Sequence, residues 1–278
     1  MRFWDKLIGG KFSSVSIPKP VVPSVKPKIG IAFGGGGLKG AAHIGVLKVL
    51  AEYGIKPDVV AGTSIGSAVA ALLASGYTWE MMQMLFEGFD VDSLIKIRPS
   101  RKGLIPADGY TELIRTCTRG KKIEEMDIPL KIVAVDLLSW NKIVFDKGDT
   151  ALAVRASSAV PGVFTPVKIS DMLLVDGYIL DNCPGGVVRG MGADIVLAIS
   201  LFAPSHGEPK NILDIINRSL DIATGMNQKI DADYVLRPIE HFIDFLDVSA
   251  VGECLKLGEQ TAREHIDEIL ALINGWRQ

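Results

Sequence analysis

The residue that points most directly to chemistry in this sequence is a serine between two glycines. Ser64 is the centre of Gly62-Thr63-Ser64-Ile65-Gly66, a G-x-S-x-G pattern, between an apolar run and an alanine-rich run of helical composition. At a strand-to-helix turn of this kind a serine is held in an exposed position, and the glycines avoid collisions with the adjoining strand and helix. The N-terminus of the following helix favours negative charge on the serine oxygen. The pattern therefore predicts Ser64 as a nucleophile.

A carboxylate that could act as the base follows another apolar run. Asp176 comes directly after residues 173–175 and is followed by Gly177. At its usual pKa of about 3.9 an aspartate is a weak base, but burial in a low-dielectric pocket raises its proton affinity. A second Asp-Gly-Tyr segment begins at Asp108, between a loop and a helical stretch. We therefore interpret Asp108 as a helix N-cap and Asp176 as the base.

Four consecutive glycines, within residues 34–40, end the first predicted strand. Their backbone N–H groups could converge on one oxygen atom, as in an oxyanion hole or a phosphate-binding loop. A dinucleotide site needs an acid at the end of the next strand, but the only acid there, Asp58, lies at the opposite end. A P-loop needs Gly-Lys-Ser/Thr, but Lys39 precedes Gly40, which is followed by alanines. The pairing with the Ser64 turn favours an oxyanion hole.

These groups must be positioned by strands that alternate with helices. Apolar, β-branched runs predict strands at residues 28–33, 58–61, 131–137, 143–145, 173–175, 194–200 and 234–238. Helical spacing predicts helices at residues 38–53, 65–75, 150–159, 211–229 and 249–275. The alternation indicates an α/β protein, a three-layer α/β/α fold with a mostly parallel central sheet. We expect a flexible N-terminal arm at residues 1–27 and a single domain, with its C-terminal helices, at residues 28–278.

Composition argues against several other classes of site. A formal net charge of −2 provides no positive field for nucleic acid. Cys117, Cys183 and Cys254 lack disulfide or metal-ligand spacing, which is typical of a protein in a reducing compartment. The four histidines also lack metal-ligand spacing. We therefore predict a cytoplasmic protein with no cofactor, no metal site and no nucleic-acid partner.

A Ser…Asp…His triad is the alternative to a serine–aspartate pair. His206, His241 and His265 follow Ser64 in the chain, as the histidine of α/β-hydrolases does. None of the three lies in a motif, and His43, within the first predicted helix, is better explained by packing or capping. The sequence therefore favours a site without a catalytic histidine.

Three segments in this order resemble the signatures of patatin-like phospholipases: residues 35–40 (GGGLKG), residues 62–66 (GTSIG) and Asp176-Gly177. Residues 156–167 also resemble the segment that precedes the catalytic aspartate of that family, and residues 232–262 resemble the ending of its small bacterial members. The resemblance implies a patatin-like fold, a Ser64–Asp176 dyad, acyl esters of lipids as substrates and no need for calcium. It also implies that the backbone N–H groups of Gly35, Gly36 and Gly37 form the oxyanion hole. The remaining glycines of the three motifs are Gly40, Gly62, Gly66 and Gly177.

Two residues depart from the family pattern. Lys39 stands where many members have Arg, and Tyr178 stands where the aspartate motif usually has Gly or Ala. A bulky ring beside the base could narrow the site or shift Asp176. We predict a serine lipid-acyl hydrolase, a phospholipase or carboxylesterase, with peripheral contact to a membrane. The alternatives are a lipid-binding regulatory adaptor with little hydrolysis and an acyltransferase that uses the same acyl-enzyme.

Overall fold

The computed structural model of the chain describes residues 26–88, 108–203, 208–209, 212–225, 229–244 and 247–277. The strands are β1 (Ile29–Phe33), β2 (Val59–Thr63), β3 (Leu130–Asp136), β4 (Asn141–Phe145), β5 (Val167–Ile169), β6 (Met172–Asp176), β7 (Ile195–Ile199) and β8 (Tyr234–Leu236). The helices are α1 (Ala41–Glu52), α2 (Ile65–Ala74), α3 (Trp79–Glu87), α4 (Asp108–Cys117), α5 (Thr150–Ser157), α6 (Tyr178–Asp181), α7 (Gly185–Gly190), α8 (Ile212–Gly225) and α9 (Val251–Gly275). Short 3-10 turns occupy Gly37–Gly40, Ile123–Glu125 and Val248–Ala250.

The predicted elements are present but differ from the observed ones at their ends, and strand β5 was not predicted. The first helix was expected from residue 38, but the 3-10 turn Gly37–Gly40 precedes α1. Helices α6 and α7 were not predicted, because segments of 4 and 6 residues are too short to show a helical period. The predicted N-terminal arm lies outside the described residues except for Lys26 and Pro27, so it and the single-domain boundary stay predictions.

Eight strands of the described chain form one sheet, in the order β5-β6-β3-β2-β1-β7-β8, with β4 also paired to β3. The neighbours β3, β2, β1, β7 and β8 are parallel. At one end of the sheet, β4 and β6 run antiparallel to β3, and β5 runs antiparallel to β6. Parallel strands are covered on both faces, which explains their near-continuous apolar character.

Helices cover both faces of the sheet because side chains alternate along each strand. From β1, Ile31 and Phe33 point into the larger core, which contains Ile44 of α1. Ala32 points to the opposite face and packs in a second cluster with Val188 of α7. The three-layer α/β/α architecture with a mostly parallel centre is thus confirmed.

Helix α9 lies directly against α1 because both helices carry glycine where they touch. A Cβ atom on Gly258 would lie 2.0 Å from the Ala42 carbonyl oxygen, and one on Gly45 would lie 2.1 Å from that of Leu255. This contact attaches the C-terminal helix to the helix that follows the glycine-rich loop, and so supports the layer beneath that loop.

Strand β3 brings the ends of β2 and β6 together. β4 pairs with residues 132–136 of β3, β2 pairs with residues 130–133, and β6 pairs with residues 134–136. Because β4 overlaps both of the others, β2 and β6 must share the opposite edge of β3, one after the other. Their C-terminal ends therefore meet near Val133 and Ala134. Ser64 follows β2 and Asp176 ends β6, so this register places the two side by side.

Candidate active site

The Ser64 turn has a strained backbone. Ser64 has φ 54° and ψ −128°, outside the regions that ordinary side chains prefer. The two flanking glycines allow close approach of the backbone. A Cβ atom on Gly62 would lie 2.2 Å from the Gly66 carbonyl oxygen, and one on Gly66 would lie 2.2 Å from that of Phe33. Helix α2 can therefore start immediately after β2, as the G-x-S-x-G pattern predicts.

Buried hydroxyl groups hold this turn. The Ser64 N–H donates to Ser157 Oγ at 2.8 Å, and Ser157 Oγ donates to the Val133 carbonyl oxygen at 2.6 Å. The Ser64 carbonyl oxygen accepts from Ser67 Oγ at 2.6 Å. The Ser64 N–H is thus already used within the protein and is not a free donor for a ligand.

Asp176 is fully buried beside the Ser64 turn. Its Oδ1 accepts from the Tyr178 N–H at 2.9 Å, while Oδ2 has no hydrogen-bond partner within the described residues. Burial raises the pKa of Asp176 from 3.8 to about 7, and the Ser64 hydroxyl and the Tyr178 N–H offset part of this rise. Asp176 and Ser64 line the same cavity. A carboxylate with a pKa near neutrality is well suited to exchange a proton with a serine.

Asp108, the other Asp-Gly-Tyr aspartate, has a different environment. It is exposed and is the first described residue of α4, and because the residues before it lie outside the described ranges its N-cap role stays a prediction. An acidic side chain in the first turn still interacts favourably with the helix dipole. Asp108 is thus exposed to solvent, whereas Asp176 is buried.

The glycine-rich loop lies against the Ser64 turn, and its backbone N–H groups differ in whether they are hydrogen-bonded within the protein. The Gly35 N–H donates to Asn182, at 3.0 Å to Oδ1 and 3.1 Å to the backbone oxygen. Gly36 and Gly37 lie at the start of the 3-10 turn, where backbone N–H groups have no acceptor within the helix. The N–H group of Gly35 is therefore used within the protein, while the donor role of Gly36 and Gly37 stays a prediction.

His43 supports the glycine-rich loop from below. It is fully buried, and its Nε2 lies 2.8 Å from the Gly34 carbonyl oxygen, so Nε2 carries the proton in this contact. Burial lowers the pKa of His43 to about 4, so the ring is neutral at physiological pH. The ring also packs edge-on against Phe33. The expected packing role of His43 agrees with these contacts.

A cavity of about 140 Å³ opens over these groups. Ser64, Asp176 and the three loop glycines line its polar side, together with Tyr178 and Asn182. The rest of its wall is apolar or charged: Lys39, Val160, Leu201, Phe202, Ala203, Arg218, Asp221, Phe242, Ile243 and Asp244. Burial lowers the pKa of Lys39, while Asp221 and the neighbouring groups act in the opposite direction.

The other histidines that the structure describes lie elsewhere. His241 pairs with Glu253 at 3.2 Å, and His265 Nδ1 lies 2.8 Å from the Tyr234 hydroxyl. His206 lies outside the described residues. Within the described ranges, no group of three or more His, Cys, Asp or Glu side chains is arranged to hold a metal ion. In the same part of the chain, no helix is both long and apolar enough to cross a membrane.

The sequence did not reveal the importance of two residues at this site. Neither Ser157 nor Asn182 belongs to the three motifs from which the sequence predicts the site. Each makes its key contact with a residue far away in the chain, 93 positions for Ser157 to Ser64 and 147 for Asn182 to Gly35. For Ser157, the available signal is its place in residues 156–167, the segment that resembles the one before the catalytic aspartate of the family.

The chain is similar in sequence to several known proteins. An uncharacterized NTE family protein of Mycobacterium tuberculosis is 34% identical over 202 residues, which are 70% of this chain and 56% of that protein. Patatin-like phospholipase domain-containing protein 7 of Rattus norvegicus is 28% identical over 197 residues, 68% of this chain and 15% of that protein. This chain therefore corresponds to little more than half of the length of the first relative and to a small part of the second.

Among solved structures, VipD from Legionella pneumophila matches with a TM-score of 0.63 at 14% identity, over 87% of this chain and 67% of that one. The type III effector protein ExoU matches with a TM-score of 0.52 at 16% identity, over 88% of this chain and 53% of that one. At these identities the likeness concerns the fold. The family model described as patatin-like phospholipase matches residues 31–188, which include the end of β1, the glycine-rich loop, the Ser64 turn and Asp176. The chain therefore belongs to the patatin-like phospholipase family, whose members are lipid hydrolases.

Proposed function

We propose that this protein hydrolyses acyl esters of lipids with Ser64 as the nucleophile and Asp176 as the base. The observation that carries the proposal is a buried carboxylate with a pKa of about 7 beside a serine in a strained strand-to-helix turn. Both line one cavity together with the glycine-rich loop. Membership of a family of lipid hydrolases supports a lipid ester as the substrate.

In the acylation step, Asp176 takes the proton of the Ser64 hydroxyl as its oxygen attacks the ester carbonyl carbon. The carbonyl oxygen becomes an oxyanion, which the N–H groups of Gly36 and Gly37 stabilise by hydrogen bonds. When the tetrahedral intermediate collapses, Asp176 returns the proton to the leaving alcohol, and the acyl group stays on Ser64. Deacylation follows the same steps with water in place of Ser64. The water molecule gives a proton to Asp176 as its oxygen attacks the acyl carbon. Ser64 then leaves and takes that proton from Asp176, and the fatty acid is released.

Activity of paired aspartate variants tests this assignment. Ser64→Ala and Asp176→Asn are each expected to lower hydrolysis of a short-chain p-nitrophenyl ester by at least about a thousandfold, because each removes a group that acts in the transition state. Asp108→Asn is the matched control and is expected to retain activity, since Asp108 is the exposed twin of the same motif. Full activity of Ser64→Ala would refute the proposal.

A fluorophosphonate probe distinguishes hydrolysis from the regulatory alternative. A folded protein whose Ser64 does not react would be a lipid-binding adaptor rather than a hydrolase. Acyl transfer would instead show as acylated product when a lysolipid or an alcohol is added. Tyr178 contacts the base through its backbone N–H, which donates to Asp176, and the residue also lines the cavity.

We also propose peripheral contact with a lipid surface near the cavity. Helix α8 exposes Ile212 and Ile222, with 72% and 64% of their surface accessible, while Arg218 and Asp221 of the same helix line the cavity. Co-sedimentation with phosphatidylcholine vesicles should fall in the double variant Ile212→Ser/Ile222→Ser. Equal recovery of variant and wild type would contradict this contact.

A further inference from the structure

We propose that Ser157 is a positioning residue that holds the Ser64 turn and the Asp176 turn in register. Its hydroxyl is fully buried between two backbone groups, accepting from the Ser64 N–H at 2.8 Å and donating to the Val133 carbonyl oxygen at 2.6 Å. One side chain therefore ties the nucleophile to β3, the strand that pairs with both β2 and β6.

The backbone around Ser157 binds the other member of the pair. The Ser157 carbonyl oxygen accepts from the Gly177 N–H at 3.4 Å, and the Ala159 carbonyl oxygen accepts from the Asp176 N–H at 3.0 Å. The end of α5 thus contacts Ser64 through a side chain and the Asp176 turn through its main chain.

The strain at Ser64 explains why such a residue is needed. A non-glycine residue at φ 54° persists only when its surroundings hold it there. The Ser64 N–H has its hydrogen bond with Ser157, and a buried N–H left without a partner would favour a rearranged turn. Because proton transfer needs the Ser64 hydroxyl next to Asp176, a small rotation of this turn slows the reaction without touching the substrate.

The catalytic part of this inference rests on the proposed function, so two kinds of measurement are needed. With a p-nitrophenyl ester, Ser157→Ala is expected to lower kcat by about tenfold, the worth of one neutral hydrogen bond, with KM nearly unchanged. The rate of fluorophosphonate labelling of Ser64 should fall by the same factor. Ser157→Cys, which keeps a weaker donor and acceptor, should lie between alanine and serine.

Ser158→Ala is the matched control. Its hydroxyl lies 3.4 Å from the Tyr110 hydroxyl, away from the Ser64 N–H, so its kcat should stay near that of the wild type. A folded Ser157→Ala with the kcat and labelling rate of the wild type would overturn the inference. If Ser157→Ala does not fold, Ser157→Cys takes its place in the test. A kcat equal to that of the wild type in Ser157→Cys would then overturn the positioning role of Ser157.

Amide hydrogen exchange provides a readout that needs no catalysis. In Ser157→Ala the Ser64 amide should exchange about tenfold faster than in the wild type, whereas Ser158→Ala should leave it unchanged. Unchanged exchange at Ser64 would refute the positioning role even in an inactive protein. A wild type that neither hydrolyses the ester nor reacts with the probe, but shows the faster exchange in Ser157→Ala, would instead refute only the proposed function.

Discussion

Replacing Asp176 with asparagine is expected to stabilise the fold at neutral pH while it removes activity. Asp176 is fully buried, its Oδ2 lacks a partner among the described residues, and its pKa is raised from 3.8 to about 7. A carboxyl group whose pKa is higher in the folded chain contributes stability that is fully present below its unfolded pKa and is lost as the pH rises through its folded pKa. Asparagine does not ionise, so it avoids this loss.

The size of the effect follows from the two pKa values. One pKa unit corresponds to about 1.4 kcal/mol. Because Asp176 ionises more readily in the unfolded chain, its ionisation lowers the free energy of unfolding by roughly 4 kcal/mol at about pH 8 and by roughly 2 kcal/mol at about pH 5. From about pH 5 to about pH 8, the free energy of unfolding of Asp176→Asn relative to that of the wild type should therefore increase by about 2–3 kcal/mol. An unpaired amide at the same place costs about 1–3 kcal/mol at either pH. The test is therefore the change with pH in the stability difference between variant and wild type, not its value at one pH.

Urea unfolding at about pH 5 and about pH 8 measures this difference. Asp136→Asn is the control, because Asp136 is also buried at the end of a strand but has a lowered pKa, chiefly through its hydrogen bond with Ser139. Stability from a lowered pKa is complete above the unfolded value, so this variant should lose the same amount at both pH values. If the gain of Asp176→Asn were constant or smaller at the higher pH, the reasoning about its burial would be wrong.

Three further predictions concern the same site. In the wild type, kcat/KM for a p-nitrophenyl ester should rise with the loss of one proton near pH 7, because Asp176 must be ionised to accept the serine proton; a profile controlled near pH 4 would contradict this. Ser64→Gly should unfold at higher urea than Ser64→Ala, by about 1 kcal/mol, because glycine tolerates φ 54°; equal stability would argue against strain. Gly62→Ala should cost at least about 2 kcal/mol, since its Cβ would lie 2.2 Å from a backbone oxygen. Gly190→Ala, which meets no atom within 4 Å, should be nearly neutral in the same urea assay, and similar losses in both variants would refute the steric argument.

Local features of the site could be predicted from the sequence because they depend on neighbouring residues. The G-x-S-x-G pattern between an apolar run and an alanine-rich run predicted the Ser64 turn, and the backbone there leaves no room for a Cβ at Gly62 or Gly66. The apolar run before Asp176 favoured it over Asp108, and the two aspartates are indeed buried and exposed, respectively. Alternation of apolar strands with helices was enough to predict the fold class.

Contacts between distant segments could not be predicted in this way. The meeting of Ser64 and Asp176 depends on the register by which β2 and β6 share one edge of β3, and pairing register leaves no local sequence signal of its own. For the same reason the sequence placed Gly35 among the oxyanion donors, whereas Asn182 occupies its N–H in the folded chain.

The sequence by itself thus determined the chemical groups, the turns that present them and the layered fold, since periodicity and close packing act over a few residues. Only the tertiary structure decided how those groups act on one another. Burial sets the pKa of Asp176, and Ser157 holds the N–H of a serine 93 positions away. Both effects arise from the low-dielectric, close-packed interior that forms when the strands assemble.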